Sequence, residues 1–416
     1  MKETLEFLYS LRNQGSKFGI ERMRMLCERL KNPQLSYPSI HVAGTNGKGS
    51  VCTMLSKIYR NHGYKVGLFT SPHLLHLGER VSVNGKSLSF SEIEKWVDRL
   101  LPISKKMEHE HQGLHPTFFE LITAIGMLEF QKQMVDLAIF ETGLGGRLDS
   151  TNILEPMVSV ITTVGFDHCD ILGSELKQIA YEKAGIIKTS KPVVVGWLEA
   201  EAKEEILKVA REKKSPVYLM DQEKKVKLPE TNLAGLFQRR NAAQAKKTVN
   251  LLNASFPVDN EKVLDALKKT EFPGRWQTIS IEPTIILDAC HNGQGAKAST
   301  ELWNSLPDHT QVWFAASEKE RAIDILPLLL QRFNQVTFFQ LDQLRSCTHK
   351  DFRSISQGFT GQRKFAQEQD ISELYEELNS KSVLLVTGSI YLVSSVLKNF
   401  QLGKEFKSLR NWQDHW

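Results

Sequence analysis

Several features that would place a chain in an oxidising compartment or a membrane are missing here. The five cysteines, Cys27, Cys52, Cys169, Cys290 and Cys347, are scattered over 416 residues, odd in number and without a Cys-x-x-Cys pair. That spacing argues against a disulfide framework or a zinc site and for reduced thiols. No apolar run approaches the roughly 18 residues that cross a bilayer. The first segment carries Glu3 and Glu6 where a signal peptide would have an apolar core. Charge of one sign is scarce as well: 53 Lys and Arg stand against 48 Asp and Glu, a net charge of +5. That is too weak to argue for nucleic acid, although a locally basic cleft for an anionic substrate fits it. There is no repeat on the scale of 20–50 residues. A cytoplasmic monomer with no nucleic-acid or membrane partner is expected.

What is present is ordinary for a globular chain, with 41% hydrophobic and 24% charged residues. The length exceeds what one core usually supports, so two domains are expected. Short apolar runs at Ile40–Ala43, Val66–Thr70, Leu137–Glu141, Val158–Val164 and Val193–Gly196 read as strands. Between them lie helical patterns near 48–61, 91–101, 117–133 and 174–187. This alternation predicts an α/β fold with a parallel-rich sheet. Glu199–Lys214, dense in mixed charge, reads as a solvated helix face. After Phe272-Pro273-Gly274 the rhythm restarts, with strands at Ile285–Leu287, Val312–Ala315, Val336–Phe339 and Val383–Val386 and helices near 293–304, 321–332 and 389–399. The expected domains are therefore 1–272 and 273–416. The polar and aromatic tail Gln401–Trp416 receives no role.

The strongest local signal is Gly44-Thr45-Asn46-Gly47-Lys48-Gly49-Ser50, which follows a strand and opens a helical pattern near Val51. A helix N-terminus offers unpaired N–H groups and a positive dipole end to an anion. Glycine lets the backbone approach phosphate oxygens, Lys48 adds a point charge, and Ser50 can offer its hydroxyl to magnesium. The general P-loop pattern is met imperfectly: no glycine stands five residues before Gly47, and Gly49 separates Lys48 from Ser50. A plain glycine-rich turn is the alternative, but it would not need Lys48 or the hydroxyls.

Other residues stand at positions where chemistry and plain structure can be weighed. Glu141 ends a strand before a glycine-rich turn, where a carboxylate can hold magnesium, or it is a cap or surface acid. His168, after Asp167, reads on its own as a satisfied polar loop residue, since magnesium prefers oxygen ligands. Lys183 beside Glu182 reads as an exposed ion pair. Arg275, just past a Pro-Gly turn, can grip phosphate as domains close. Asp288 ends a strand, where a carboxylate accepts ribose hydroxyls or caps the strand.

The loop's spelling, His41-Val42-Ala43 through Ser50, resembles the folylpolyglutamate and dihydrofolate synthase branch of the Mur ligase family. Further segments agree in order: Thr70-Ser71-Pro72-His73-Leu74, Glu79-Arg80-Val81, Glu141–Asp149, Asp167-His168, Glu182–Ile186, Phe272–Arg275, Asp288 with His291-Asn292, and Thr387-Gly388-Ser389. The resemblance covers nearly the whole chain. It implies a P-loop nucleotide-binding N-terminal domain, a smaller Rossmann-like C-terminal domain, and ATP between them. It implies ATP-dependent ligation of L-glutamate to tetrahydrofolate through an acyl phosphate, with dihydropteroate as another acceptor in many bacterial relatives.

By the same resemblance, residues 45–50 and Arg275, Asp288 and Asn241 serve ATP. Ser50, Ser71, Glu141, His168 and a carbamylated Lys183 hold two magnesium ions, and Lys48, Lys183 and His291 act in catalysis. The chain departs from the family's Asp-Gly-Ala-His-Asn-Pro in having Asp288-Ala289-Cys290-His291-Asn292-Gly293, and Phe237 stands before Gln238 where the family often has histidine. A cell-wall Mur ligase is disfavoured because too little chain precedes Gly44 for a UDP-binding domain. A nucleotide-binding ATPase without ligase activity would leave Arg275, Asp288 and His291 unexplained.

Overall fold

In the computed structural model, residues 7–8, 10–11, 19–222, 228–343 and 346–402 are described. Most of the tail that starts at Gln401 lies outside them, as does most of the segment before residue 19. The chain forms two compact units. The first comprises Met1–His73, Leu77–Asn232 and Phe237–Thr270; the second comprises Leu74–His76, Leu233–Leu236 and Glu271–Trp416.

The first unit holds eight strands: β1 (Ser39–Ala43), β2 (Val66–Phe69), β3 (Val81–Val83), β4 (Lys86–Ser87), β5 (Leu137–Glu141), β6 (Val158–Ile161), β7 (Val193–Val195) and β8 (Val217–Leu219). They are ordered β4-β3-β2-β5-β1-β6-β7-β8. The strands from β2 to β8 in that order are parallel, and β3 and β4 are antiparallel additions at one edge. β1 and β5 are buried along their whole length; β5 is apolar up to Glu141, as a strand covered on both faces is, whereas β1 also buries the polar side chains of Ser39 and His41. Val42 of β1 lies opposite Glu141 of β5 and Val160 of β6, and Phe69 of β2 lies opposite Phe140. The carboxyl ends of four adjacent strands are therefore level, and the loops that leave them converge.

Helix Lys48–Asn61 has the bounds expected for it, with Gly47 as N-cap. The helix expected near 91–101 runs over Phe90–Glu110 and continues through Pro102, anchored by a Ser89/Glu92 capping box. The 174–187 pattern contracts to Leu176–Ala184, and the strand expected to reach Val164 ends at Ile161. Glu199–Lys214 is helical over Ala200–Glu212, but it is not simply a solvated face. Ala202, Ile206, Val209 and Ala210 are packed in a core with Ile161, Ile179 and Val195, and Glu205 is buried.

The second unit contains β9 (Gln277–Ile281), β10 (Thr284–Asp288), β11 (Gln311–Phe314), β12 (Gln335–Gln340), β13 (Gln362–Gln367) and β14 (Val383–Thr387), ordered β13-β12-β11-β14-β10-β9. All pairs are parallel except β10 with β9. Side chains alternate between two cores: Val312, Phe314 and Phe338 pack on one face, Trp313, Ala315 and Phe339 on the other. Burial on both faces requires helices on both sides, as the sequence pattern implied.

Candidate active site

The loop after β1 is set by the segment after β6. Thr45 N donates to Thr163 O at 2.8 Å, and Asn46 N donates to Thr163 Oγ1 at 2.9 Å. Thr162 Oγ1 donates to Asn46 O at 2.7 Å. The Thr45 hydroxyl donates to Gly165 O at 3.1 Å and accepts from Gly165 N at 3.0 Å. The polar groups of Thr45 and Asn46 thus hold the loop's own frame. What the loop presents is the first turn of the helix beginning at Lys48, whose N–H groups have no intrahelical acceptor. Gly47 has φ +88°, and a Cβ there would lie 2.6 Å from Asn241 Oδ1; glycine is required on both counts. Lys48 Nζ donates to Gly44 O at 3.0 Å and to Thr45 O at 3.2 Å, so its charge sits over the loop. Ser50, two residues on in the same turn, is buried.

Glu141, buried at the end of β5, accepts from Ser71 N at 3.1 Å, which places the Ser71 loop beside this carboxylate. The buried Cys52 thiol on the P-loop helix is pushed up by burial, raised further by Glu141 and lowered by Lys48. Glu141 and Lys48 therefore act on a common neighbourhood. Lys183 is buried, not the exposed ion pair that its neighbour Glu182 suggested. Burial brings its ammonium down to about 7, the Lys48 cation adds to the fall, and Asp167 opposes it. Glu182 is turned to Arg147 at 2.8 Å. His168 is in the left-handed region at φ 52°, half-exposed, with Nε2 3.8 Å from Asp167 Oδ1.

Asn241 lies on helix Leu236–Leu252 and donates through Nδ2 to Gln238 Oε1 at 3.0 Å. Its packing against Gly47 ties this helix to the phosphate loop.

The run Gly143–Asp149 contains a residue with no role assigned from sequence. Asp149 is buried and accepts from Gly143 N and Leu144 N, both at 2.9 Å, and from Thr151 N at 2.9 Å. It shapes the glycine-rich turn that follows Glu141. An acid at the end of a Gly-rich run was the available signal.

In the second unit, Asp288 ends β10 and is buried. Burial raises its carboxyl to about 6, against the lowering effects of Arg275, the Trp276 N–H and Ser299. Arg275 Nη1 donates to Ala289 O at 3.0 Å, and His291 Nδ1 lies 2.9 Å from the same carbonyl. A carbonyl only accepts, so Nδ1 carries the hydrogen in this contact. Arg275, from the turn before β9, thus meets the loop after β10 that carries Asp288 and His291.

The Mur ligase middle domain matches residues 42–251 of this chain. A dihydrofolate synthase/folylpolyglutamate synthase of Bacillus subtilis is 32% identical over 415 residues, covering 93% of this chain and 96% of its own. The crystal structure of folylpolyglutamate synthase from Thermotoga maritima superposes with a TM-score of 0.83 at 30% identity, covering 97% of this chain and 98% of that one. E. coli FolC in complex with DHPP and ADP gives a TM-score of 0.83 at 28% identity over the same shares. Extent, identity and fold agree with the loop geometry, and the chain belongs to the Mur ligase family, in its folylpolyglutamate and dihydrofolate synthase branch.

Proposed function

We propose that this chain is an ATP-dependent ligase that adds L-glutamate to the glutamate side chain of tetrahydrofolate, with dihydropteroate as a second acceptor. The observation that carries this reading is the gathering of Lys48, Glu141 with Ser71, and buried Lys183 at the level ends of β1, β2, β5 and β6. In an open α/β sheet that edge is where ligands bind. A carboxylate oxygen of the acceptor attacks the γ-phosphorus of ATP and ADP leaves. The glutamate amine then adds to the acyl carbon, phosphate departs with the electrons of the broken C–O bond, and the amine gives up a proton.

Lys48 is assigned to the transferring phosphoryl group, whose charge it offsets. The first-turn amides of residues 48–50 bind phosphate oxygens, with residues 45–47 shaping the loop. Asn241 is assigned to the adenine side. Arg275 is assigned to phosphate, Asp288 to the ribose hydroxyls, and His291 to the neighbourhood of ATP and the incoming amine. Related proteins have been solved with ADP, and one with Mn, AMPPNP and L-glutamate.

Among the described residues no three His, Cys, Asp or Glu side chains converge to hold a metal ion. That suits magnesium, which takes one or two carboxylates and completes its shell with phosphate oxygens and water. Glu141, Ser50 and Ser71 fit such a site, and His168 and Lys183 are assigned to a second ion. Bound there, magnesium would neutralise charge on the phosphates. Lys183 is assigned a carbamate. A buried amine near Lys48 favours the neutral form that carbamylation needs, and Glu182, committed to Arg147, does not counter this.

The test of the whole reading is ADP release measured with ATP and with tetrahydrofolate or dihydropteroate, each in the presence and absence of L-glutamate. Release should require both co-substrates. Equal release without them overturns the ligase. A carbamate carbon signal after supply of labelled bicarbonate is expected at Lys183, and a bare ammonium in the active magnesium-bound enzyme overturns that assignment.

A further inference from the structure

Resting on the ligase reading above, we infer that Arg147 is a positioning residue that fixes Lys183 through Glu182. Arg147 Nε and Nη2 both donate to Glu182 Oε1, at 3.0 and 2.8 Å. Its backbone N donates to Glu182 O at 2.7 Å, and its guanidinium lies 5.4 Å from the centre of the Tyr181 ring. One residue thus grips the last turn of helix Leu176–Ala184 by side chain, main chain and ring face.

Two further contacts bind the same two segments. Asn152 Nδ2 donates both to Arg147 O at 2.9 Å and to Gly185 O at 3.0 Å. A Cβ on Gly146 would lie 3.0 Å from the carbonyl oxygens of Glu182 and Lys183, and one on Gly185 would lie 2.3 Å from Arg147 Cβ. The glycine-rich loop and the helix end are therefore in backbone contact, which only glycine permits. Lys183 sits between the anchors at 182 and 185. Its side chain is buried among groups that include Lys48 and Asp167, while the carboxylate of its chain neighbour is held on the loop. Neighbouring residues on a helix point in different directions, and Arg147 makes that divergence fixed.

The ion pair is not a large source of stability. The Arg147 side chain is 40% exposed and that of Glu182 18%, and pairs of this kind contribute little. Its effect lies in placement: the loop after Glu141 and the turn that carries Lys183 move as one piece. A side chain displaced by about 1 Å from a reacting phosphoryl group costs about 100-fold in rate.

The test compares wild-type enzyme with Arg147→Met, Arg147→Lys and Glu182→Gln. Arg147→Met is expected to lower kcat about 10- to 100-fold and to leave KM for the folate and for glutamate within about twofold, with the melting transition retained. Amide hydrogen exchange in the unligated protein should rise together in peptides covering 143–147 and 182–186. Arg147→Lys, which keeps one donor and the charge, should recover part of both effects, and Glu182→Gln should lie between. A kcat for Arg147→Met within about twofold of wild type overturns the inference. So does a loss of activity with a loss of fold that Arg147→Lys does not restore, and so does exchange that rises in one segment without the other. If the wild-type chain releases no ADP in response to glutamate, the ligase reading fails on its own, and the exchange measurement still decides whether the two segments are coupled.

Discussion

The chain uses the same local design twice, to opposite ends. In the first unit β1 leads through a loop into helix Lys48–Asn61, and in the second β10 leads through a loop into helix Gly293–Asn304. The first helix begins at Gly47, which has no side chain to cap it. The second begins at Asn292, whose side chain accepts from Gly295 N at 2.8 Å. An uncapped N-terminus keeps its amides for an anion; a capped one has already satisfied one of them. The first loop accordingly carries a cation, Lys48, and the second carries the carboxylate Asp288 and the imidazole His291. One βα turn leaves its helix N-terminus uncapped beside a cation, and the other caps its helix and carries a carboxylate and an imidazole.

Lys48→Ala is the hardest test of this contrast. It should lower glutamate-dependent ADP release by about a thousandfold with no change in the melting transition; turnover near wild type would remove Lys48 from the phosphate role. Lys183→Met, set against wild-type protein kept free of bicarbonate so that the amine is unmodified, probes the burial of this side chain. The folded-state value of about 7 lies below the ordinary 10.5, so the unfolded chain binds more protons between those limits and wild-type stability rises with pH across that window. The methionine variant should be more stable at pH 7 by roughly 2–5 kcal/mol, with the gap closing towards pH 10. Chemical denaturation at several pH values reads it, and a pH-independent difference would show that Lys183 is not desolvated.

Asp288→Asn should separate stability from function in the second loop. The carboxyl is raised to about 6 from 3.8. The folded state therefore binds more protons than the unfolded chain between these values, and a penalty develops as pH rises and persists above 6. The variant should gain about 1–3 kcal/mol at pH 7 and nothing below about pH 4, while its KM for ATP rises. A stability gain with unaltered ATP use would mean that Asp288 serves the fold alone. The smallest effect is expected for Asn292→Ala, about 1 kcal/mol of stability from the lost cap, measured by thermal unfolding. A much larger loss of turnover than of stability would show that the cap itself belongs to the site.

Much of this architecture was legible because the central strands are buried on both faces. Leu137–Glu141 and the helices 48–61 and 293–304 have the bounds that the sequence pattern implies. Elements that escaped detection have identifiable reasons. Helix Leu236–Leu252 turns Gln238, Asn241, Gln244 and Thr248 inward alongside Ala242, Ala243, Ala245, Val249 and Leu252, so polar and small side chains interrupt its apolar periodicity. β13 exposes Gln362, Arg363 and Lys364, as an edge strand does. β9, at the opposite edge of the same sheet, is only half-buried. At the candidate site, residue types and loop positions could be read along the chain, but the burial of Lys183 could not. Nor could the partner of Glu182, because Arg147 is 35 residues away in sequence.

The dependence of the phosphate loop on Thr162–Gly165 has a consequence for recognition. The amides of Thr45 and Asn46 and the Thr45 hydroxyl are bonded to this segment, so the shape of the loop is set once β6 lies beside β1. A ligand that enters a preformed mould loses little to loop ordering. Calorimetric titration with ADP should then show a heat-capacity change set by the buried surface alone, with no added contribution from coupled folding. By the same logic Thr163→Val, which deletes the hydroxyl that holds Asn46 N, would surface first as a weaker affinity for nucleotide in a protein that still unfolds as a single well-packed body.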